Sequence, residues 1–407
     1  MRELLAMTQL PLILHNRVVT RPGYDTDSKV LINLDQDWLP DVSDTPSRAE
    51  MVTAVRSLWS PWRAYQFDSP ESRAGMLSAI FTLFARPGLN IAPGFMIDAP
   101  CPSSGKTTLF QALLAVVMGE EVGGTLFERQ DDSELMKQLL GDVREGIQYF
   151  LLDNVTGHFD SPAFAGLLTS SKMSKRILGT NNVFRADLRL MVGLTSNNAS
   201  ISHELSSRLV SVRIDTQSEN PQALAFPFSP IQEAISKRAE IAWGVCTVFQ
   251  AYFNAGSPKL GKGRSRFAAW DDLIRQCVLW VQHEGYLLEA GIEDQMLRPF
   301  GDPAGSLLSA GSGMDEETSC LRDLLHALKD QYGVLNNFTA AAVASEVNGF
   351  PGPIKNAIQG LSPRNGDYPV SSVGKILSNR KDRRVDGLYL KVGKGANHAT
   401  TFWVMEG

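Results

Sequence analysis

Residues 94–110 read GFMIDAPCPSSGKTTLF, and the organisation of the chain can be worked outward from them. GFMIDA is a short apolar run of strand character, Pro100 to Gly105 is loop chemistry, and Lys106 opens a stretch whose Leu109, Leu113, Leu114 and Val117 recur at helical spacing. A strand, a tight loop and a helix in that order, with Gly105-Lys106-Thr107 at the turn, is the context of a phosphate-cradling P-loop. Backbone N–H groups converging at a helix N-terminus suit the negative charges of a nucleoside triphosphate. The expected ATP-binding residues are therefore Pro102, Ser103, Ser104, Gly105, Lys106, Thr107 and Thr108. Lys106 would reach the outer phosphates and Thr107 would coordinate Mg2+. Pro100 stands where the GxxxxGK[ST] pattern has glycine, so the first turn of the loop needs other dihedrals.

Further along, IQYFLLDN (residues 147–154) is a β-rich run ending in Asp153, the expected second Mg2+ ligand; a capping Asp on a buried strand is the plainer alternative. Asn154 follows where many ATPases carry a catalytic Glu, and an amide cannot serve as a general base. Asp131, Asp132, Glu134 and Asp160 are the remaining candidates for a base, against the simpler role of helix caps. The run RLMVGLTSNN (residues 189–198) ends in Asn197, placed to orient water or touch the γ-phosphate. Arg208, in ELSSR before another strand, is expected to neutralise transition-state charge on a neighbouring subunit's nucleotide, or else to be a surface ion-pair partner. Between these strands, residues 175–189 form two β-like arms around Gly179-Thr180-Asn181-Asn182. Lys175, Arg176 and Arg185 decorate this hairpin. They are expected to grip DNA phosphates in a central channel, unless the hairpin merely faces solvent.

The chain has 407 residues, room for two to three folding units, with 43% apolar and 20% charged residues, which excludes wholesale disorder. Thirty-nine Lys and Arg against 44 Asp and Glu exclude a protein that is basic throughout. The four cysteines, Cys101, Cys246, Cys277 and Cys320, are far apart and the six histidines are scattered, so neither a zinc cage nor a disulfide framework is expected and a reducing cytoplasm fits best. No run is apolar and long enough to span a membrane.

Composition and periodicity divide the chain into a β-rich arm (1–47), a helical segment (48–86), the α/β core (87–225), a helical lid-like region (226–298), a Gly/Pro/Ser linker (299–315) and a final domain (316–407). From 335 onward nine Lys and Arg meet five Asp and Glu, so the last segment carries a basic surplus of four while the remainder is acidic. There, FTAAAVASEV and SSVGKILSNR read as helices, followed by two strands around a basic Gly-containing turn. Helices followed by a β-wing suggest a winged helix, a fold that contacts DNA or docks proteins. Lys375, Arg380, Lys381, Arg383, Arg384, Lys391 and Lys394 are its candidate DNA contacts.

With these elements in this order, residues 22 to 280 resemble ring-forming AAA+ ATPases that carry a hairpin before the sensor strand. More narrowly, they resemble superfamily 3-type or minichromosome-maintenance-like helicase modules of phages, prophages and plasmids. The shared elements are Pro22-Gly23-Tyr24-Asp25, Ile97 to Lys106, Leu151 to Val155, Arg176 to Gly179, Ser196-Asn197-Asn198, Leu205 to Arg208, and Phe267 to Trp270. The chain departs at Pro100, at Ser196 for Gly, and at Ser207 for the first of two arginines, which leaves Arg208 to act alone. The resemblance implies a three-layer AAA+ core with a pre-sensor hairpin, ATP and Mg2+ as cofactors, assembly into a hexamer or similar ring, and DNA, single-stranded or forked, as partner. Such modules are often fused to, or encoded near, a primase, which makes a primase a candidate partner. The expected function is a replicative helicase or translocase; the alternative is an initiator or loader that uses ATP as a slowly hydrolysed switch.

Overall fold

A computed structural model describes residues 3–35, 37–123, 125–126, 132–176, 183–216, 218, 226–294, 296–305, 307, 316–349, 352–362, 364, 366–394 and 400–406. The chain forms two compact units, 1–311 and 312–407.

The first unit begins with short strands β1 (Ala6–Thr8), β2 (Leu12–Leu14), β3 (Arg17–Val19), β4 (Gly23–Asp25) and β5 (Val30–Ile32), in a small mixed sheet and a hairpin. Helix α1 (Arg48–Trp59) starts at a capping box: the Glu50 N–H donates to the Ser47 hydroxyl and the Ser47 N–H to the Glu50 carboxylate. Helix α2 (Pro70–Ala85) has almost no polar face, and it is buried nearly all round. Then come β6 (Gly94–Ala99), α3 (Lys106–Met118), β7 (Thr125–Leu126), α4 (Asp132–Arg144), β8 (Tyr149–Val155), β9 (His158–Phe159), α5 (Pro162–Thr169), β10 (Lys172–Arg176), β11 (Val183–Asp187), β12 (Met191–Asn197), β13 (Ser200–Ile201), α6 (His203–Ser206) and β14 (Leu209–Arg213). Helices α7 (Pro230–Ser236) and α8 (Arg238–Asn254) lead into a π-helical turn, Asp271–Arg275, and a helix over Gln276–His283.

Strands β14, β6, β12, β8 and β7 lie side by side in that order, all parallel. Alternation along the strands gives the sheet two apolar faces. Phe95, Ile97, Leu151, Met191, Val210 and Val212 join a core with α1, α2, α3 and α8; Phe150, Leu152, Val192, Leu194 and Leu209 join another with α4 and α5. The result is a parallel sheet flanked by helices on both sides. Gly193 lets the layers meet, since a Cβ there would lie 2.0 Å from the Phe110 ring of α3.

The segments 1–47, 48–86 and 226–298 are not separate bodies, because their apolar residues share one core with β6 and α3. The stretch read as a linker packs in its first half. Phe300, Ala304 and Leu307 are buried, and Asp302 pairs with Arg275, whose side chain is fully buried. Residues 306 and 308–315 lie outside the described set.

The second unit has its own core, built from Leu321, Leu324, Leu325 and Leu328 of the helix Glu316–Tyr332 with Val343, Ile358, Leu377, Phe402 and Val404. Helices Ala340–Asn348, Pro353–Leu361 and Val370–Ser378 pack with an antiparallel sheet in which β15 (Asn337–Thr339) and β16 (Leu388–Lys394) flank β17 (Thr400–Glu406). The third strand, β15, was not visible in the sequence. Residues 395–399, the expected turn of the wing, lie outside the described set.

Candidate functional site

The carboxyl ends of β6, β8 and β12 converge on the start of α3. The loop between β6 and α3 closes by a hydrogen bond from the Ser104 hydroxyl to the Cys101 carbonyl. Ser103 has φ +60° and Gly105 φ +86°, and Gly105 is the N-cap of α3. Only glycine takes that cap conformation without strain. Ser104 is buried, Pro102 and Ser103 are exposed, and Thr108 is half-buried in the first turn.

Lys106 is 6% exposed, and its Nζ donates to the Cys101 carbonyl at 3.1 Å and to Asn197 Oδ1 at 2.7 Å. Burial pushes its pKa below the usual lysine range, while the nearby Asp98, Asp153 and Cys101 pull it back up. A buried ammonium beside a loop at a helix N-terminus is a group whose charge suits an anion.

Thr107 and Asp153, 46 residues apart, are joined by a hydrogen bond of 2.8 Å from the Thr107 hydroxyl to Asp153 Oδ1. The same oxygen accepts the Thr195 hydroxyl at 2.5 Å. Among the described residues no Lys or Arg forms an ion pair with Asp153. A hydroxyl and an uncompensated carboxylate are hard oxygen ligands of the kind Mg2+ prefers, so the residues present fit that ion.

Local backbone geometry explains how Asp153 comes to face Thr107. Between the Leu194–Leu152 and Ser196–Val155 pairs, β8 carries one more residue than β12, which makes a β-bulge at Asp153-Asn154. Asn154 takes up the irregularity at φ +65°, a conformation asparagine tolerates better than glutamate. Its N–H donates to Thr195 Oγ1 at 2.8 Å, and its Oδ1 accepts from Asn197 Nδ2 at 2.9 Å. Lys106, Asn197 and Asn154 thus form one chain of hydrogen bonds from the start of α3 across the ends of β12 and β8.

Of the acids considered as bases, Asp132 caps α5, accepting the Ser161 hydroxyl at 2.5 Å and the Ala163 N–H at 2.9 Å, and Glu134 pairs with Lys137. Asp160 is exposed, and Asp131 lies outside the described residues.

Arg208 is not brought to this cluster. Its carbonyl accepts the N–H of Gly94 at 3.0 Å, so it lies at the opposite, amino-terminal end of the sheet. The five steps of β6 separate them by on the order of 16 Å. Its side chain is 13% exposed, and Nη2 is held 2.8 Å from Glu204 Oε1. The open edge expected for this residue is therefore already part-covered by its own chain. Arg266, at the end of the basic loop Lys259 to Arg266, feels the charge of Arg208. Burial first, then that charge, lowers its pKa, against the pull of Glu204.

Strands β10 and β11 pair antiparallel from Lys172 with Asp187 to Arg176 with Val183. The Gly179–Asn182 turn and the side chains of Lys175 and Arg176 lie outside the described residues; Arg185 is exposed. In the second unit, Lys375, Lys381, Lys391 and Lys394 are exposed. Arg384 is exposed with its guanidinium 4.9 Å from the Tyr389 ring centroid, and Arg383 is half-buried. Arg380 is half-buried and donates to the Ile376 and Leu361 carbonyls, which closes two helix ends. No described helix is long and apolar enough to cross a membrane.

No family model and no curated protein matches the chain. The chain is similar to two solved structures described as the A form apo structure of the NrS-1 C-terminal region. One has 10% identity and a TM-score of 0.42, covering 93% of this chain and 80% of that one. The other also has 10% identity, with a TM-score of 0.34, and covers 90% and 77%.

Proposed function

We propose that the chain is a ring-forming, DNA-dependent ATPase that unwinds or translocates along DNA in the replication of a phage or other mobile element. The observation that carries this reading is the joining of Thr107 to Asp153 beside the Lys106–Asn197 contact. These four residues were singled out by motif alone, from segments up to 91 residues apart. The loop amides and Lys106 would hold the triphosphate. Thr107 and Asp153 would hold Mg2+, which supplies charge neutralisation at the phosphates when bound. Asn197, at hydrogen-bond distance from Lys106, sits where it can orient water or the γ-phosphate.

The placement of Arg208 at the far end of the sheet supports action on a neighbouring subunit, because it cannot reach its own site. Release of Glu204 would accompany assembly. Arg185, Lys375, Lys381, Arg383, Arg384, Lys391 and Lys394 would contact DNA phosphates, together with Lys175 and Arg176.

A second reading is favoured by Asn154: no acid occupies the usual base position, and the Asn154 amide is engaged with Asn197. In that case ATP acts as an assembly switch for a DNA-binding initiator or loader. ATP turnover with and without single-stranded DNA separates the two. Strong DNA stimulation, abolished in Lys106→Ala and Asp153→Ala, supports the motor; tight ATP binding with negligible turnover supports the switch. Absence of ATP binding overturns both. For the DNA surface, Lys391→Ala/Lys394→Ala should weaken binding and lower the salt slope by about 2.

A further inference from the structure

A second polar cluster lies at the ends of β6, β12 and β14, and the nucleotide-binding residues do not include it. Asp98, 6% exposed, accepts the Ser196 hydroxyl at 2.6 Å and the Asn198 N–H at 2.9 Å on Oδ1. Its Oδ2 pairs with the Arg213 guanidinium. Arg213 Nη2 donates to Asn198 Oδ1 at 2.7 Å, and its Nε lies 3.6 Å from Asp68 Oδ2. The Arg213 N–H donates to the Ser72 hydroxyl at 2.9 Å, which in turn donates to Asp68 at 2.8 Å. Asn198 Nδ2 completes the set by donating to the Pro100 carbonyl at 3.3 Å, at the start of the loop.

Three of these bonds meet on one residue, Asn198. Asn198 has φ +51°, a left-handed conformation that is costly for most residues, and it is fixed at its N–H, its amide oxygen and its amide nitrogen. The preceding residue, Asn197, is the one that touches Lys106 and Asn154. Relaxation of Asn198 to an extended backbone would redirect the chain immediately after Asn197 and loosen the aim of its amide.

We infer that Asp98 and Arg213 are positioning residues: their ion pair locks Asn198, and through it holds the Asn197 amide against Lys106. The inference rests on the ATPase reading above. Neither residue would touch the triphosphate; they act through backbone geometry, to which turnover is far more sensitive than binding.

The test uses the full chain, with steady-state ATP hydrolysis and equilibrium binding of a fluorescent ATP analogue. Arg213→Ala should lower kcat about 30-fold while raising the analogue's Kd less than about 3-fold. Arg213→Lys, which keeps the charge but not the fork to Asn198, should recover part of the loss. In an Asn197→Ala background the same Arg213→Ala change should cost less than about 2-fold, because the residue it acts through is gone. Should Arg213→Ala fail to fold, Asn198→Gly serves instead: glycine accepts the backbone conformation but drops both amide anchors, and kcat should fall while the fold persists. Unchanged kcat in folded Arg213→Ala or Asn198→Gly, or full additivity with Asn197→Ala, overturns the inference and leaves the ATPase reading standing. Wild-type protein that binds no ATP analogue overturns the reading and the inference together.

Discussion

Asp98 and Asp153 sit near the carboxyl ends of two strands of one sheet, β6 and β8, with β12 between them, and both adjoin Lys106. Their surroundings make them opposites. Asp98 is buried, faces a guanidinium and spends both oxygens inside the fold. Asp153 accepts the Thr107 and Thr195 hydroxyls and, among the described residues, has no ion-pair partner, although it lies near enough to Lys106 to support its charge. A carboxylate whose charge is cancelled by an ion pair within the fold holds structure together; one without such a pair, joined to a hydroxyl at the start of a helix, is suited to an added cation. The neighbours, rather than the residue type, decide between the two.

The largest test of this contrast is catalytic. Asp153→Ala should lower kcat for ATP by at least about 100-fold while stability, read as the urea midpoint by tryptophan fluorescence, moves by less than about 1 kcal/mol. Asp98→Ala should differ by losing stability as well, about 2 kcal/mol, since it strands a part-buried guanidinium and two further donors, alongside the smaller fall in kcat expected of a positioning residue. If the variants exchange these signatures, the two aspartates have been given each other's roles.

A smaller effect is expected at Thr195, whose hydroxyl joins Asp153 to the bulge. Thr195→Val keeps the shape, and should cost about 1 kcal/mol by orphaning the Asn154 N–H, with a partial loss of turnover. The smallest effect concerns pH. Burial already lowers the pKa of Lys106, and Asp153 opposes that shift. In Asp153→Asn the ammonium loses this support, its pKa falls further, and the alkaline limb of ATP-analogue binding moves to lower pH. A limb moving to higher pH would mean that Asp153 does not act on Lys106.

Much of the site was legible because its residues sit at element boundaries with their own local chemistry. Gly105-Lys106-Thr107 needs a strand before it and a helix after it, and both are visible as apolar periodicity. Asp153 and Asn197 end apolar runs, and a polar residue at a strand end is easy to see. Asp98 carried a fainter signal: a charge inside GFMIDA must find a partner when the strand is buried. Arg213 gave none, because an arginine at the end of LVSVR reads as ordinary surface charge. The carbonyl bonds of Arg380 gave no signal for the matching reason, since in a basic run a residue that closes helix ends looks like its neighbours.

By itself the sequence determined the alternation of strands and helices, the loop at Gly105, and which side chains end the strands, because these depend on periodicity and turn chemistry within a few residues. Only the tertiary structure decided strand order, the bulge that turns Asp153 toward Thr107, the ion pair of Asp98 with Arg213 from 115 residues away, and the placing of Arg208 at the sheet's other end. Those depend on which strands become neighbours and in what register, and backbone hydrogen bonding between distant segments sets both.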